Sequence, residues 1–347
     1  MKKDYNMGIA LLRVWMCFEV VLCHFRIWPN NEGIFYRYQV IAVPVFMLSS
    51  FVFVDINKLI QKNGMRKRMY RLLVPHLVWT CVYYVVCKMI DIKNGSQLIQ
   101  GKTDFVWQLL FGHSYNATLW FQVNLIVLTI LFWIIFKVLK QGMALIVTMV
   151  LGYFALYLQY AEVLRSVLSK IVWPESIMGG YFSENYVIWT VGRLVEMVPY
   201  AVIGIIAGKI KIIDTKKTYR IYILIGSYLL LNLFNKCNFF KPIDGFGYQG
   251  MQGIFVGSLL LILFSNLPFE KIPLIAKKVI FEISKYTMGI YFMHRLVGMV
   301  FYKTPLNGWL KMRQGTIYDC CIIFIASYVI ARVIYKIPIK WIKMSVS

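Results

Sequence analysis

The chain has 347 residues, of which 59% are hydrophobic and 15% charged, and its mean hydropathy is +0.64. A soluble protein is about 45–50% apolar and about 25% charged, so the composition excludes a water-soluble globule, and long apolar runs in place of alternating strands exclude a membrane β-barrel. The net charge of +23 would suit nucleic acid, but no basic stripe with interleaved aromatics forms a soluble surface, so no nucleic-acid partner is expected; Lys and Arg gather between apolar segments, as in cytoplasmic loops of membrane proteins.

Apolar segments of spanning length recur over 7–28, 35–56, 72–92, 118–138, 142–160, 187–208, 220–236, 250–267, 281–301 and 316–337. They predict an all-α integral membrane protein with ten transmembrane helices, organised as a single membrane-embedded domain over 1–347 with no soluble appended domain. Met1-Lys2-Lys3 before an apolar run mimics a signal peptide, but the run is too long, carries Arg13 and lacks a small-residue cleavage site, so a retained first span is expected. With the N-terminus in the cytoplasm, the inner segments hold about 23 of the 38 Lys and Arg residues. This bias and the even number of spans predict both termini cytoplasmic. The outer segments 93–117 and 161–186 are long and rich in Gly, Ser, Asn and aromatics, and read either as a roof over an outer-side ligand or as plain connections. The seven cysteines fall mostly inside apolar helices with no CxxC or Cys/His metal spacing, which predicts reduced thiols and no metal site.

The first span, MGIALLRVWMCFEVVLCHF, carries Arg13, Glu19 and His24. A charge at the centre of a spanning helix costs roughly 2.5–3.5 kcal/mol, so such residues persist where they face protein or a wet cavity, and an intramembrane site is the default reading. Eleven residues make about three turns plus 20°, which puts Arg13 and His24 on one face, roughly 16 Å apart along the axis. Arg13, in the inner half, suits a phosphate or another anion. His24, near the outer end, suits a general base acting on a hydroxyl. Their separation resembles the length of a pantetheine arm. The plainer alternative has Arg13 snorkelling to the inner interface and His24 lying at the outer one.

A second intramembrane histidine, His294, stands in YTMGIYFMH in the outer half of the ninth span, with Tyr291 three residues earlier on the same helical side. Two histidines at the outer side are what an extracytoplasmic reaction centre would need; a hydrogen-bonded structural histidine is the alternative for His294. Trp120 and Phe121, in LWFQVN, open the fourth span as an aromatic belt or a cavity wall. RKRMYRLLVPH, with Arg68 and Arg71, reads as a positive-inside stop or as a contact for a cytoplasmic nucleotide phosphate. Ser49 and Ser50 are small residues at which helices can pack closely, and Arg193 and Glu196 form an intramembrane i,i+3 pair. No GxSxG, HExxH or Walker loop is present.

These segments form a collinear set that resembles the acyltransferase-3 family of integral membrane acyltransferases. LLRVWMCFEVVLCHF resembles the family's Arg-x10-His first helix, VPVFMLSSF its apolar second helix, and RKRMYRLLVPHLVW its basic segment leading to a proline and the third helix. LWFQVNLIVL resembles its Trp-Phe start of the fourth helix, VPYAVIGIIAGK its glycine-containing sixth, and ISKYTMGIYFMH its late Ser…Gly-Ile-Tyr-x-x-His helix. The resemblance implies a multi-pass protein of the cell (inner, cytoplasmic) membrane, embedded in lipid. It implies an O-acyltransferase that moves an acyl group, commonly acetyl, from cytoplasmic acyl-CoA to an extracytoplasmic glycan of the surface-polysaccharide type. Acetyl-CoA or another acyl-CoA would be the donor substrate, with no metal. On the same ground His24 would be the catalytic residue, Arg13 would help hold the CoA phosphates and Arg68 and Arg71 would meet the CoA nucleotide. Trp120, Phe121, Tyr291 and His294 would shape the substrate cavity, to which Glu19 and Arg193 are added. Two residues depart from the family pattern: Ser50 follows Ser49 where glycine is usual, and Glu19 lies mid-helix, either paired with an intramembrane cation such as Arg193 or tuning the site. The rival class is a transporter or glycan-export factor that uses the same Arg, Glu and His as a relay.

Overall fold

The computed structural model describes residues 6–25, 34–94, 99, 102–112, 118–160, 186–209, 226, 229, 250–267, 272–303, 306–309 and 315–347, and these form helices with no strand among them. In chain order the helices are α1 (Met7–Phe25), α2 (Ile34–Val52), α3 (Ile56–Leu59), α4 (Lys62–Asn94), α5 (Lys102–Phe111), α6 (Trp120–Val138), α7 (Gln141–Tyr160), α8 (Tyr186–Lys209), α9 (Gly250–Ser265), α10 (Leu274–Lys285), α11 (Thr287–Lys303), α12 (Leu306–Trp309), α13 (Ile317–Lys336) and α14 (Lys340–Met344). Six of the described helices contain stretches long and apolar enough to cross a bilayer: α1, α4, α6, α7, α8 and α13. The chain is an integral membrane protein.

The faces of these helices are arranged for lipid. Along α7, Thr148 and Gln159 are buried together with the small residues Ala144, Gly152 and Ala155, while Ile146, Val150, Tyr153 and Tyr157 are exposed. In α6, Gln122, Asn124 and Thr129 are wholly buried. A water-soluble helix would turn its polar stripe outward. In a bilayer the outer medium is as apolar as the side chains, so helices associate through small residues and interhelical hydrogen bonds.

Two differences from the sequence reading have clear causes. The basic segment ahead of the third predicted span is helical, so α4 begins at Lys62 instead of 72 and runs through Pro75. Proline removes one backbone donor, and spanning helices tolerate this where neighbouring groups serve the freed carbonyl. The ninth predicted span, 281–301, is broken at Tyr286 (φ −105°, ψ 7°) into α10 and α11. The polar groups at the break have partners. Ser284 Oγ donates to Phe281 O at 2.8 Å, and Thr287 Oγ1 donates to Ser284 O at 3.1 Å. The seventh predicted span, 220–236, lies outside the described residues except for 226 and 229, as does nearly all of the segment 161–186.

The chain divides into two compact units. The first comprises Met1–Phe46, Ile212–Leu233 and Phe255–Ser347. Here α1 packs against α10, α11 and α13, and buries Leu12, Met16, Val21 and Leu22. Trp15 meets the rings of Tyr38 and Phe264 at 4.9 and 5.7 Å, and Phe18 meets Phe324 edge-on at 5.5 Å. The second unit comprises Met47–Lys211 and Phe234–Ile254. Gln122 Nε2 donates to Leu72 O (2.8 Å), tying α6 to α4, and Gln159 Nε2 donates to Val195 O (3.1 Å), tying α7 to α8. Tyr160 Oη accepts from Met251 N at 3.0 Å.

Candidate functional site

In the first unit, the last turn of α1 delivers His24 to the middle of α11, where its ring lies 5.1 Å from that of His294 at an interplanar angle of 33°. Tyr291, one turn earlier on α11, places its ring 6.1 Å from His294, and Phe46 closes on Tyr291 at 6.4 Å. Phe25 stands edge-on to His294 at 6.1 Å. His24 is exposed while His294 is completely buried, so one imidazole is open to a ligand and the other stands behind it. His24, Tyr291 and His294, separated by some 270 residues of chain, are thus brought together.

Arg13 reaches the break between α10 and α11. Its Nη2 donates to Thr287 Oγ1 at 3.0 Å, and Cys17 Sγ lies 3.5 Å from Thr287 O. Neither Thr287 nor Cys17 was singled out from the sequence. Cys17 was legible as the residue one turn beyond Arg13 on the Arg13–His24 face; Thr287 was hidden because the break was read as continuous helix. Glu19 is wholly buried and its Oε1 accepts from Trp15 Nε1 at 2.8 Å. It lies roughly 120° around α1 from the Arg13–His24 face. A further pair went unread: Tyr302 Oη donates to Asp319 Oδ2 at 3.1 Å, and Asp319 is buried in the first turn of α13, its backbone N–H capped by Thr316 Oγ1. The signal was a carboxylate at the edge of an apolar run.

In the second unit, Trp120 and Phe121 begin α6 as predicted, their rings 6.2 Å apart. Arg193 of α8 lies over the Trp120 ring at 5.7 Å, and its Nη1 donates to Glu196 Oε2 at 2.6 Å, so the i,i+3 pair read from the sequence is formed. Glu196 is completely buried and Arg193 nearly so. Removing one member of a buried ion pair leaves its partner's charge uncompensated, at a cost of about 3–5 kcal/mol. Glu196→Ala is therefore expected to lower the unfolding midpoint of the detergent-solubilised protein sharply. The double change Arg193→Ala with Glu196→Ala should cost clearly less than the two single changes summed.

Arg68 and Arg71, one turn apart on α4, have different surroundings. Arg68 donates from Nε to Thr129 Oγ1 (3.1 Å) and from Nη2 to Ser50 O (3.4 Å), and its guanidinium lies 5.1 Å from the centre of the Phe51 ring. Arg71 is exposed. Among the described residues no group of three or more His, Cys, Asp or Glu side chains is placed to hold a metal ion.

The chain matches the acyltransferase domain of the acyltransferase-3 type over residues 6–336. It belongs to the acyltransferase-3 family. Comparison with curated proteins and with solved structures gives no match. Membership makes the chain a membrane acyltransferase and favours transfer chemistry over the transporter or export reading. The match spans residues of both units, including every candidate residue named above.

Proposed function

We propose that this family member is an O-acyltransferase of the cell membrane that moves an acyl group, acetyl in the first instance, from cytoplasmic acyl-CoA to a hydroxyl of an extracytoplasmic glycan. In this reading it acts as a single membrane-embedded domain of ten spans with both termini in the cytoplasm. The observation that carries it is the imidazole of His24, exposed, on the same helical face as Arg13 and backed by His294. Arg13 binds the CoA phosphates on the inner side, and the pantetheine extends along α1 toward His24. His24 takes the proton of the glycan hydroxyl as its oxygen attacks the thioester carbonyl. The C–S bond then breaks, and the CoA thiolate leaves with the proton that the imidazolium returns. Tyr291 and His294 wall the reacting end.

The test is the transfer of label from radioactive acetyl-CoA, supplied at the cytoplasmic face of vesicles containing the protein, to surface polysaccharide from cells that lack it. Donor-dependent labelling supports the reading. Altered export of polymer with no labelling overturns it. The two α4 arginines make a finer test. Arg71, exposed, is the one available to the CoA nucleotide, so Arg71→Ala should raise KM for acyl-CoA about tenfold with kcat unchanged, the mark of lost uniform binding. Arg68→Ala should instead lower thermal stability, because its guanidinium is committed to Thr129, Ser50 and Phe51.

A further inference from the structure

The imidazole of His294 carries a proton that its surroundings locate. Its Nδ1 lies 3.2 Å from the backbone oxygen of Ile290. A carbonyl only accepts, so in the neutral ring the hydrogen sits on Nδ1 and Nε2 is left as an acceptor. That Nε2 is buried and has no hydrogen-bond partner among the described residues. An unpaired acceptor held away from water costs about 1–3 kcal/mol, a cost that is recovered when a donor reaches it. His294 is completely buried and His24 exposed, so a glycan hydroxyl meets His24 first. Among the described residues, a donor that can turn toward it is the ring N–H of His24. With ring centres 5.1 Å apart, a turn of the exposed imidazole into the plane of its neighbour brings the two nitrogens to about 3 Å. Such contacts are commonly loose in the unliganded state and tighten in the reacting complex.

We propose that His294 is the positioning residue for His24, acting through its Nε2. It receives an N–H of His24, which presents the other His24 nitrogen unprotonated toward the acceptor hydroxyl. When that nitrogen takes the hydroxyl proton, the N–H donated to His294 stays where it is, and the imidazolium is held by a neutral acceptor. No proton passes to His294; the one gained goes on to the CoA thiolate. This is the nucleophile, base and orienting-group arrangement of acyl-transfer sites, with a tautomer-locked histidine as the orienting group. The inference rests on the acyl-transfer reading above.

The experiment compares His294→Gln, whose amide oxygen can restore a neutral acceptor near the Nε2 position, with His294→Leu, which offers none. Both are reconstituted in vesicles and assayed with radioactive acetyl-CoA and the same polysaccharide. The Leu variant is expected to lose about 10²–10⁴-fold in kcat with KM for acetyl-CoA unchanged, and the Gln variant to stay within about tenfold of wild type. Leu activity equal to wild type overturns the inference, and so does a Gln variant that binds acetyl-CoA normally yet is as slow as Leu. Labelling by wild type and Leu alike removes this inference alone, whereas no labelling by wild type removes the acyl-transfer reading together with it.

Discussion

His24→Ala is expected to reduce acyl transfer by about 10²–10⁴-fold, the range a positioned general base supplies, while the protein remains folded in the membrane. Two features argue for a clean effect. The side chain is exposed at the end of α1, so its removal opens no cavity in the core. The packing of α1 rests on Leu12, Met16, Val21 and Leu22, which stay in place. Donor affinity should survive as well, because in the proposed mechanism the CoA phosphates lie three turns away at Arg13. The measurement is the initial rate of label transfer from radioactive acetyl-CoA to polysaccharide, with the amount of protein in the vesicles determined in parallel. Wild-type levels of acylated polymer in this variant would remove His24 from the chemistry.

Gly204→Leu combined with Gly208→Leu is expected to abolish recovery of folded protein. The two glycines lie one turn apart on α8, in the pattern Gly-x-x-x-Gly, and α8 lies against the last turns of α2 there. A Cβ on Gly204 would stand 2.7 Å from Leu48 O and 2.8 Å from Phe51 Cβ, and one on Gly208 would collide with Val52 O. The backbone of α2 cannot yield as a flexible side chain would. Overpacking costs about 1–3 kcal/mol per site in a well-packed interior. It costs more where the obstacle is backbone, and in lipid no hydrophobic gain compensates for lost contact between helices. Gly142→Ala serves as the control, because nothing lies within 4 Å of a Cβ at that position in α7. Size-exclusion profiles and unfolding midpoints in detergent decide the matter, and a double variant eluting and melting like wild type would refute close helix contact at this place.

The relation of sequence to structure differs from one segment to the next. Spans over α1, α6, α7, α8 and α13 were legible because an apolar run bounded by polar residues has one physical solution in lipid, a helix that satisfies its own backbone. The Arg193–Glu196 pair was legible because residues three apart on a helix are neighbours in any fold. The break at Tyr286 was not, because an apolar run carries no mark of where side chains will take over backbone carbonyls, as Ser284 and Thr287 do. Glu19 is a second case: its charge announces a special position, and the structure adds a hydrogen bond from Trp15, one turn back on the same helix. The surroundings of Arg68 and Arg71, alike on paper, differ in the fold, where Thr129, Ser50 and Phe51 lie around the first and the second is exposed.

By itself the sequence determined the membrane class, the helical architecture, the family and the residues whose cost in lipid demands an explanation, because composition, apolar length and local spacing act within one segment. The tertiary structure alone decided which of those residues meet. His24 and His294 come from helices some 270 residues apart, and no periodicity in either segment encodes the other. Their rings meet at 5.1 Å because α1 packs directly against α11.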